Sequence, residues 1–431
     1  MIGCRIWYGN RLNELKFYCL RRSSTIQPPK GRWKMLDLKE IARHLRSDVA
    51  NLRRSLHAIP EPRWQEMQTM AMIISEVDLA NQNFPSPNIQ VDCKKDLRGG
   101  LVVDVTVNPE LPRVLLRADI DALPITEETG LSFASTNDGY MHACGHDANS
   151  AMLLVAFRAI LAEKDFPFAH NLRFVWQRAE ENPVTCSGGD VLVNYEGVCD
   201  GISAAYALHL ITDTPSCTFS SRGGALLGNS GRLGMTIRTS GGHVAEPHQG
   251  ADALRVVQAV MNAMDQLGAT ILPPTEPRVL EPVIVKAGSA SNVRPSEASV
   301  WYAARSMLPR VEHFQFMKDV EAAVSHVVSG FSSATVEFDR VLGHPATINS
   351  PNHVQRLAET LMANDRMYCD HPPMLGGEDF AYYLQKVPGA MFMLGAGRER
   401  CGPIHSPTFN PDESVLWRGV HFWLLVASNP V

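Results

Sequence analysis

The 431-residue sequence has little net charge, no long apolar run and few cysteines. With 40 basic and 45 acidic residues its formal net charge is -5, which argues against nucleic acid or an anionic membrane as a partner. The apolar stretch "AMLLVAFRAILA" is interrupted by Arg158 and is too short to span a membrane. Nine irregularly spaced cysteines do not form a disulfide framework, so a reducing compartment is predicted.

The amino-terminal segment 1–34 is basic, with Glu14 as its single acid, and it lacks the continuous apolar core of a secretory signal. The favoured interpretation is an unstructured extension, or sequence upstream of a true start at Met35. A cleavable organelle leader is the alternative. The predicted location is accordingly the cytoplasm, with organelle targeting as the alternative.

The rest of the chain is long enough for two domains and alternates between strand and helix patterns. Apolar residues recur at helical spacing from Leu38 to Leu56, and Pro60 ends that pattern. A further helix is expected from about Asn149 to Lys164. Buried strands are predicted for "GGLVVDVTV", "PRVLLRAD", "NLRFVWQ" and "GISAAYALHL". This alternation favours an α/β catalytic domain with a mainly parallel central sheet flanked by helices.

Near Gly228 the pattern changes to half-exposed strands. Such strands are predicted in "GRLGMTIRTSGG", "EASVWYAARSM" and "ATVEFDRV", with helices in "DALRVVQAVMNAMDQL" and "VEHFQFMKDVEAAVSHVV". We therefore expect an inserted α+β domain over residues 228–341. It would divide the catalytic domain into residues 35–227 and 342–431, and the second part carries further helices in "NHVQRLAETLMA" and "DESVLWRGVHFWLLVAS".

The segment "MHACGHDANSAMLL" places Cys144, His146 and Asp147 together ahead of a predicted helix. Gly145 allows a tight turn, so that a thiolate and an imidazole can meet at one point. This donor pair suits zinc and related metals. The alternative is a buried thiol beside a helix-capping turn.

Other candidates for chemistry stand at strand ends and in turns. The paired acids Glu180 and Glu181 follow the strand in "NLRFVWQ", at the carboxyl end where α/β sheets place their sites. His209 ends "AAYALHL", His243 lies in "SGGHVAEPH", and His405 lies in "GPIHSP". Each one alone would more often be a structural residue, but their joint occurrence indicates a site.

The order and spacing of several motifs resemble the dinuclear-metal amidohydrolases. This family includes aminoacylases, hippurate hydrolases, indole-acetyl-amino-acid hydrolases and related carboxypeptidases. The resemblance extends from about Leu52 to the last helix and rests on "LLRADIDALPI", "MHACGHDANSAMLL", "QRAEE", "ALHL", "GGHVAEPHQGADAL", "NVRP", "GGEDFAYYLQKVPGAMFMLG" and "IHSP". It implies a catalytic domain split by a smaller lid domain that often pairs two subunits.

The resemblance also implies roles for individual residues. Glu180 would be the catalytic carboxylate, and His243 would approach the reacting carbonyl, commonly from the partner subunit. Asn292 and Arg305 would hold the substrate carboxylate. The metal ligands would be Cys144, His146, Glu181, His209 and His405.

Two acids are candidates for orienting the ligand imidazoles, namely Asp119 and Asp147, although a strand-end acid is equally often a plain cap. The sequence departs from the family pattern at Asn149-Ser150, Arg178-Ala179 and Ala245-Glu246. Because no implied ligand is lost, hydrolysis is still expected, while the lining of the substrate pocket is expected to differ.

The sequence thus predicts a metal-dependent hydrolase of N-acyl amino acids or similar amides, with Glu180 as general base and acid. Two divalent ions per subunit are expected, zinc or manganese first, with cobalt or nickel as alternatives. The predicted partners are a small N-acyl amino acid or peptide-like substrate and a second copy of the chain. Alternatives are an aminopeptidase, dipeptidase or carboxypeptidase of the same family, a hydrolase with Cys144 as nucleophile, and an inactive binding protein.

Overall fold

The structure is a computed structural model that describes residues 37–182, 186–364, 368–399 and 401–430. The predicted amino-terminal extension 1–34 lies outside these residues. Among the helices described, none is long and apolar enough to cross a membrane. The seven cysteines described are all free thiols.

Ten α-helices lie within the described residues, and a 3₁₀ turn at Glu413–Val415 precedes the last of them. The predicted helix from Leu38 is in fact two helices, which meet at Leu45. The helices are α1 (Leu38–His44), α2 (Arg46–His57), α3 (Met67–Asn83), α4 (His146–Ala162), α5 (Gly188–Asn194), α6 (Ala253–Thr270), α7 (Arg310–Ser329), α8 (Pro351–Asn364), α9 (Ala381–Leu384) and α10 (Leu416–Ser428).

The described strands form one large sheet, one smaller sheet and two short pairs. In chain order they are β1 (Gln90–Lys94), β2 (Gly100–Thr106), β3 (Arg113–Asp119), β4 (Asn171–Gln177), β5 (Ile202–Ile211), β6 (Phe219–Ser221), β7 (Gly224–Leu227), β8 (Asn229–Arg238), β9 (Gly242–His243), β10 (Arg278–Ala287), β11 (Val293–Arg294), β12 (Glu297–Ser306), β13 (Thr335–Leu342), β14 (Thr347–Asn349), β15 (Tyr368–Asp370) and β16 (Gly389–Gly395).

The large sheet has eight strands in the order β1-β2-β4-β3-β5-β16-β6-β15. Its four inner strands β4, β3, β5 and β16 are parallel to one another. The antiparallel pairs β1–β2, β2–β4 and β6–β16 lie outside this centre. Strands β4 and β16 are buried along their whole length, as expected for parallel strands with helices on both faces. The carboxyl ends of the inner strands therefore meet at one edge of the sheet.

Helix α4 fixes the loop that carries the Cys144 motif against this sheet. It begins at His146 and is buried along nearly its whole length, packing against β3, α2 and α10. A helix that is apolar on all sides belongs in a core. The loop before α4 is consequently held between the sheet and this central helix.

The smaller sheet is antiparallel, with the order β10-β12-β8-β13. Alternate residues of β12 are buried, and the buried face packs on α6 and α7 through a core that includes Leu233, Val256 and Phe316. Period-two burial of this kind is typical of a sheet with helices on one face. These elements extend from Asn229 to Leu342, close to the range 228–341 predicted for an inserted domain, whose boundaries stay a prediction.

Candidate active site

The five side chains expected to bind metal converge where β3, β4 and β5 end. Donor atoms of Cys144, His146 and His209 lie within 4.8 Å of one another, and so do those of Cys144, Glu181 and His405. The Cys144 sulfur lies 3.6 Å from Nε2 of His209, and Nε2 of His405 lies 3.3 Å from Oε1 of Glu181. Cys144 is therefore common to two groups of donors.

Backbone carbonyls fix the tautomers of two of these histidines. Nδ1 of His146 donates to the carbonyl of Asp121 at 2.9 Å, and Nδ1 of His209 donates to the carbonyl of Leu210 at 2.7 Å. A carbonyl only accepts, so the proton of each neutral ring lies on Nδ1 and the lone pair lies on Nε2. This arrangement orients Nε2 for binding a cation.

Uncommon backbone conformations stand next to the donors. Gly145 has φ of 91°, which a residue without a Cβ adopts at no steric cost. Ala179, directly before the paired acids, has φ of 51°, and His405 has φ of 63°. Left-handed residues other than glycine are uncommon in proteins and concentrate at functional sites. Here they aim Glu180 and His405 into the cluster.

The charged groups of the cluster shift one another's pKa values. Burial alone would raise the pKa of the Cys144 thiol, but His146 and His209 lower it to about 6. Burial alone would lower the pKa of His209, but the Cys144 thiolate raises it to about 9. Hydrogen bonding to Cys144 and Glu181 raises the pKa of His405 to about 10. These groups are therefore strongly coupled to one another.

The paired acids are anchored by a third carboxylate. The backbone N–H groups of Glu180 and Glu181 donate to the two oxygens of Asp121, at 3.0 and 2.9 Å. Burial and the negative charges of Glu378 and Glu181 raise the pKa of Glu180 well above its ordinary value. A carboxyl group with a raised pKa is suited to general acid and base catalysis near neutral pH.

Glu378, Asp379 and Arg117 belong to the same site, although no sequence pattern assigns them a role. Oxygens of Glu180, Glu378 and Asp379 lie within 4.8 Å of one another. The buried guanidinium of Arg117 binds Asp119 at 2.7 Å, Asp379 at 2.6 Å and Glu378 at 3.1 Å. The only sequence signal was the adjacent acids in the quoted "GGEDF" motif, which alone resemble a solvated turn.

The two acids predicted to orient ligand imidazoles have different surroundings. Asp119 lies 3.9 Å from Nε2 of His146 and accepts a hydrogen bond from Asn149 at 2.9 Å. The carboxylate of Asp147 instead binds Arg53 and His57, both at 2.7 Å, and neither is an expected ligand. The carboxylate of Asp121, 3.4 Å from Nδ1 of His146, supports that ring instead.

A cavity of about 540 Å³ opens in front of the cluster and is lined by Cys144, Glu180, Glu181, His209 and His405. Arg305 also lines this cavity. His243 and Asn292 are not among its lining residues; both are exposed. They lie beside the short β9–β11 pair, in which Val293 is opposite His243. The structure therefore brings Arg305 to the ligand cluster within one chain, but not His243 or Asn292.

Comparison with known proteins places this geometry in a family. The family model described as peptidase family M20/M25/M40 matches residues 115–429. The chain belongs to this family. The family region includes every donor of the cluster, the whole smaller sheet and the last helix, and the expected family and fold class are confirmed. The predicted enzyme class, a metal-dependent hydrolase acting on amides, is confirmed with them.

Individual relatives span nearly the whole chain. Thermostable carboxypeptidase 1 of Saccharolobus solfataricus is 29% identical over 394 residues, covering 90% of this chain and 97% of the relative. N-acetyldiaminopimelate deacetylase of Bacillus subtilis is 30% identical over 389 residues, covering 87% and 96%. The solved structure of the Bacillus subtilis YxeP protein, described as a dinuclear metal-binding peptidase, is 25% identical with a TM-score of 0.76, covering 90% and 98%.

Proposed function

We propose that this M20/M25/M40 family member hydrolyses the amide bond of N-acyl amino acids or similar conjugates, using two divalent metal ions per chain. The observation that carries the proposal is the convergence of five donor side chains in two groups that share one sulfur. The family region includes all five, and the YxeP neighbour is described as dinuclear. The proposed ligands are Cys144, His146, Glu181, His209 and His405.

The donor side chains are better suited to binding divalent cations than to hydrogen bonding with one another. Nε2 of His146 is buried and has no hydrogen-bond partner among the described residues. Buried polar atoms are normally satisfied, so an unpaired lone pair within a cluster of donors fits the binding of a cation. Thiolate, imidazole and carboxylate together suit zinc or manganese, with cobalt or nickel as alternatives. Cys144, which belongs to both donor groups, would contribute its thiolate to both ions.

The paired acids divide the chemistry between them. Glu181 binds metal, while Glu180 takes a proton from the attacking water and delivers it to the leaving amine. Bound divalent ions would polarise the scissile carbonyl and lower the pKa of a coordinated water to about 7. Arg305, which lines the same cavity, binds the substrate carboxylate. The hydrogen bonds from the backbone N–H groups of both acids to Asp121 hold Glu180 and Glu181 in fixed positions, so that each can keep its own role.

His243 and Asn292 act from a second copy of the chain in this proposal. Both are exposed and lie outside the lining of their own chain's cavity. His243 accepts a hydrogen bond from the backbone of Ala245 through Nδ1, at 3.1 Å. Its Nε2 then carries the proton and can donate to the developing oxyanion, a role worth roughly 3 kcal/mol. A homodimer formed by the inserted domain would supply that donor.

Replacement of the two adjacent acids tests the proposal. Glu180→Gln should abolish hydrolysis of an N-acetyl amino acid while the metal content, measured by mass spectrometry, stays near two ions per chain. Glu181→Gln is the matched control, because removing a ligand should lower the metal content as well. Retained turnover in Glu180→Gln would exclude the general-base role, and unchanged metal content in Glu181→Gln would exclude its ligation.

A chelator experiment separates the metal enzyme from a thiol hydrolase. Prolonged chelation should abolish activity, and added zinc or manganese should restore it. A nucleophilic Cys144 would keep its activity without metal. The carboxypeptidase alternative is favoured by the names of two relatives. It predicts preferential cleavage of N-blocked dipeptides over N-acetyl amino acids, so assays with both substrate types on one preparation distinguish the two.

A further inference from the structure

Two arginines line the cavity that contains the proposed ligands. Arg232 and Arg305 both belong to the cavity wall; Arg232 is exposed and Arg305 is half-buried. Within the part of the chain that the structure describes, no hydrogen bond or ion pair holds either guanidinium. Arg340, which is half-buried like Arg305, binds a carboxylate. Two unpaired cations in one cavity favour an anionic ligand.

The strand register places the two guanidinium groups side by side. Arg305 of β12 lies opposite Ser230 of β8, and Arg232 follows two residues later on the same face of β8. Diagonal neighbours of this kind are about 7–8 Å apart at the backbone, within reach of long side chains. Burial and the charge of Arg232 lower the pKa of Arg305. The fold therefore keeps two like charges near each other.

A buried histidine stands at the same end of the cavity. His344 lines the cavity, is only 5% exposed, and has no hydrogen-bond partner for Nδ1 among the described residues. Its backbone N–H donates to Oγ of Ser230 at 2.7 Å, and its carbonyl accepts from the N–H of Ser230 at 2.9 Å. Ser230, which lies opposite Arg305 on β8, thus anchors an unsatisfied polar group in the wall of the cavity.

Glycine on the facing loop leaves the guanidinium of Arg305 accessible. A Cβ at Gly377 would lie 3.2 Å from the Cβ of Ser230 and 3.4 Å from Nη1 of Arg305. A larger side chain there would occupy the space in front of the cation. The acids that also line the cavity are Glu180, Glu181, Asp213 and Glu378, and none forms a described ion pair with Arg232 or Arg305.

We propose that the substrate carries two carboxylates and is an N-acyl derivative of an acidic amino acid. This inference rests on the proposed function. Arg305 binds the α-carboxylate, and Arg232 binds the side-chain carboxylate with His344 as a neutral hydrogen-bonding partner. A monocarboxylate would leave one guanidinium unpaired, whereas a dicarboxylate pairs both through charge-assisted hydrogen bonds.

A matched pair of substrates tests the second carboxylate. N-acetyl-L-glutamate and N-acetyl-L-glutamine have nearly the same shape and differ by one charge. We expect kcat/KM of the wild type to favour the glutamate derivative by about 10- to 100-fold. Arg232→Gln should bring this ratio close to one. Arg238→Gln on the same strand is the control, because Arg238 binds Glu297 and Glu337 and does not line the cavity, so it should keep the ratio.

Two outcomes would overturn the inference: a wild-type enzyme without preference for N-acetyl-L-glutamate, or an Arg232→Gln variant that lowers kcat/KM for both substrates alike. The second would mean that both arginines share the α-carboxylate. The charge-based preference should also weaken in high salt, because Arg232 is exposed and exposed charges are screened.

A binding measurement separates this inference from the proposed function. Glutarate should raise the thermal denaturation midpoint of the wild type more than pentanoate does, and Arg232→Gln should lose that difference. If no N-acyl amino acid is hydrolysed but glutarate still binds selectively, the proposed function fails and the dicarboxylate site stands. If hydrolysis occurs without selectivity for glutarate or N-acetyl-L-glutamate, the function stands and the site is overturned.

Discussion

Replacement of Arg117 by methionine should destabilise the fold and impair the site together. Arg117 is 1% exposed and binds Asp119, Glu378 and Asp379 at 2.7, 3.1 and 2.6 Å. Its Nε also donates to Gln177 at 3.0 Å. The single guanidinium of Arg117 therefore forms ion pairs with three buried carboxyl groups. It lies where the large sheet contacts the loop that carries Glu378.

The size of the effect follows from leaving those acids without a cation. Removing one partner of a buried ion pair costs about 3–5 kcal/mol, because the remaining charge is uncompensated. Methionine fills much of the volume of the arginine stem, so little of the loss comes from packing. Burial raises the pKa of Glu378 to about 7, although the charge of Arg117 lowers it, so this acid can take up a proton when Arg117 is removed. We therefore expect the loss to stay at about 3–5 kcal/mol at pH 7.5, although three acids lose their cation.

Urea denaturation measures this loss, and Arg173→Met is the matched control. Arg173 is also a buried arginine of the large sheet, and it binds both oxygens of Asp104 at 2.7 Å. Its partner Asp104 does not line the cavity, whereas Glu378, a partner of Arg117, does. Both variants should unfold at lower urea concentration, but only Arg117→Met should also lower kcat of the folded enzyme. The reasoning fails if Arg117→Met lies within about 1 kcal/mol of wild type or if Arg173→Met loses as much turnover.

Three further predictions concern other parts of the molecule. Gly188→Ala would place a Cβ 1.6 Å from the carbonyl oxygen of Arg178, so it should lower both stability and turnover. At Gly268 the nearest atom to an added Cβ is 4.0 Å away. Gly268→Ala should therefore stabilise helix α6 by about 0.5–1 kcal/mol, measured by thermal or urea unfolding. Burial opposes ionisation of Glu127, but His57, Ser135 and Thr129 lower its pKa to about 2, against an ordinary 4.5. Its stabilisation is thus present above pH 4.5 and lost as the pH falls toward 2, so the wild-type advantage over Glu127→Gln should shrink across that window, and a constant difference would contradict this. Mixing inactive His243→Ala and Glu180→Gln subunits should restore part of the activity; no recovery in a verified mixed dimer would exclude action in trans.

Local pattern predicted most of the helices and strands, because burial on one face leaves a periodic trace in the sequence. The strands that end at Asp119, Gln177 and Ile211 were found in this way, and so were α6, α7 and α10. The break at Leu45 was not predicted, since Leu45 itself is buried and continues the apolar spacing. Helix α3, with methionines and amides along much of its length, carries a weak periodic signal and was missed.

The candidate site was predicted unevenly for a physical reason. Cys144, His146 and the paired acids can be recognised from the sequence, because their residue types suit metal binding and they lie at the ends of predicted strands or helices. Asp379 does not, because its partner Arg117 lies 262 positions away in the sequence. Asp147 is adjacent to His146, but successive helical residues point about 100° apart. Its side chain therefore turns away from the ligands and binds Arg53 and His57 of α2.

The electrostatics of the cluster provide an independent argument for bound cations. Acidic groups surround Glu180, and burial together with their charges raises its pKa, while His209 and His405 have pKa values raised to about 9 and about 10. Without cations, the imidazoles of His209 and His405 therefore tend to be charged. Metal binding requires neutral imidazoles. Divalent cations would therefore replace the protons of these two rings, which fits the burial of several like-charged side chains in one cluster.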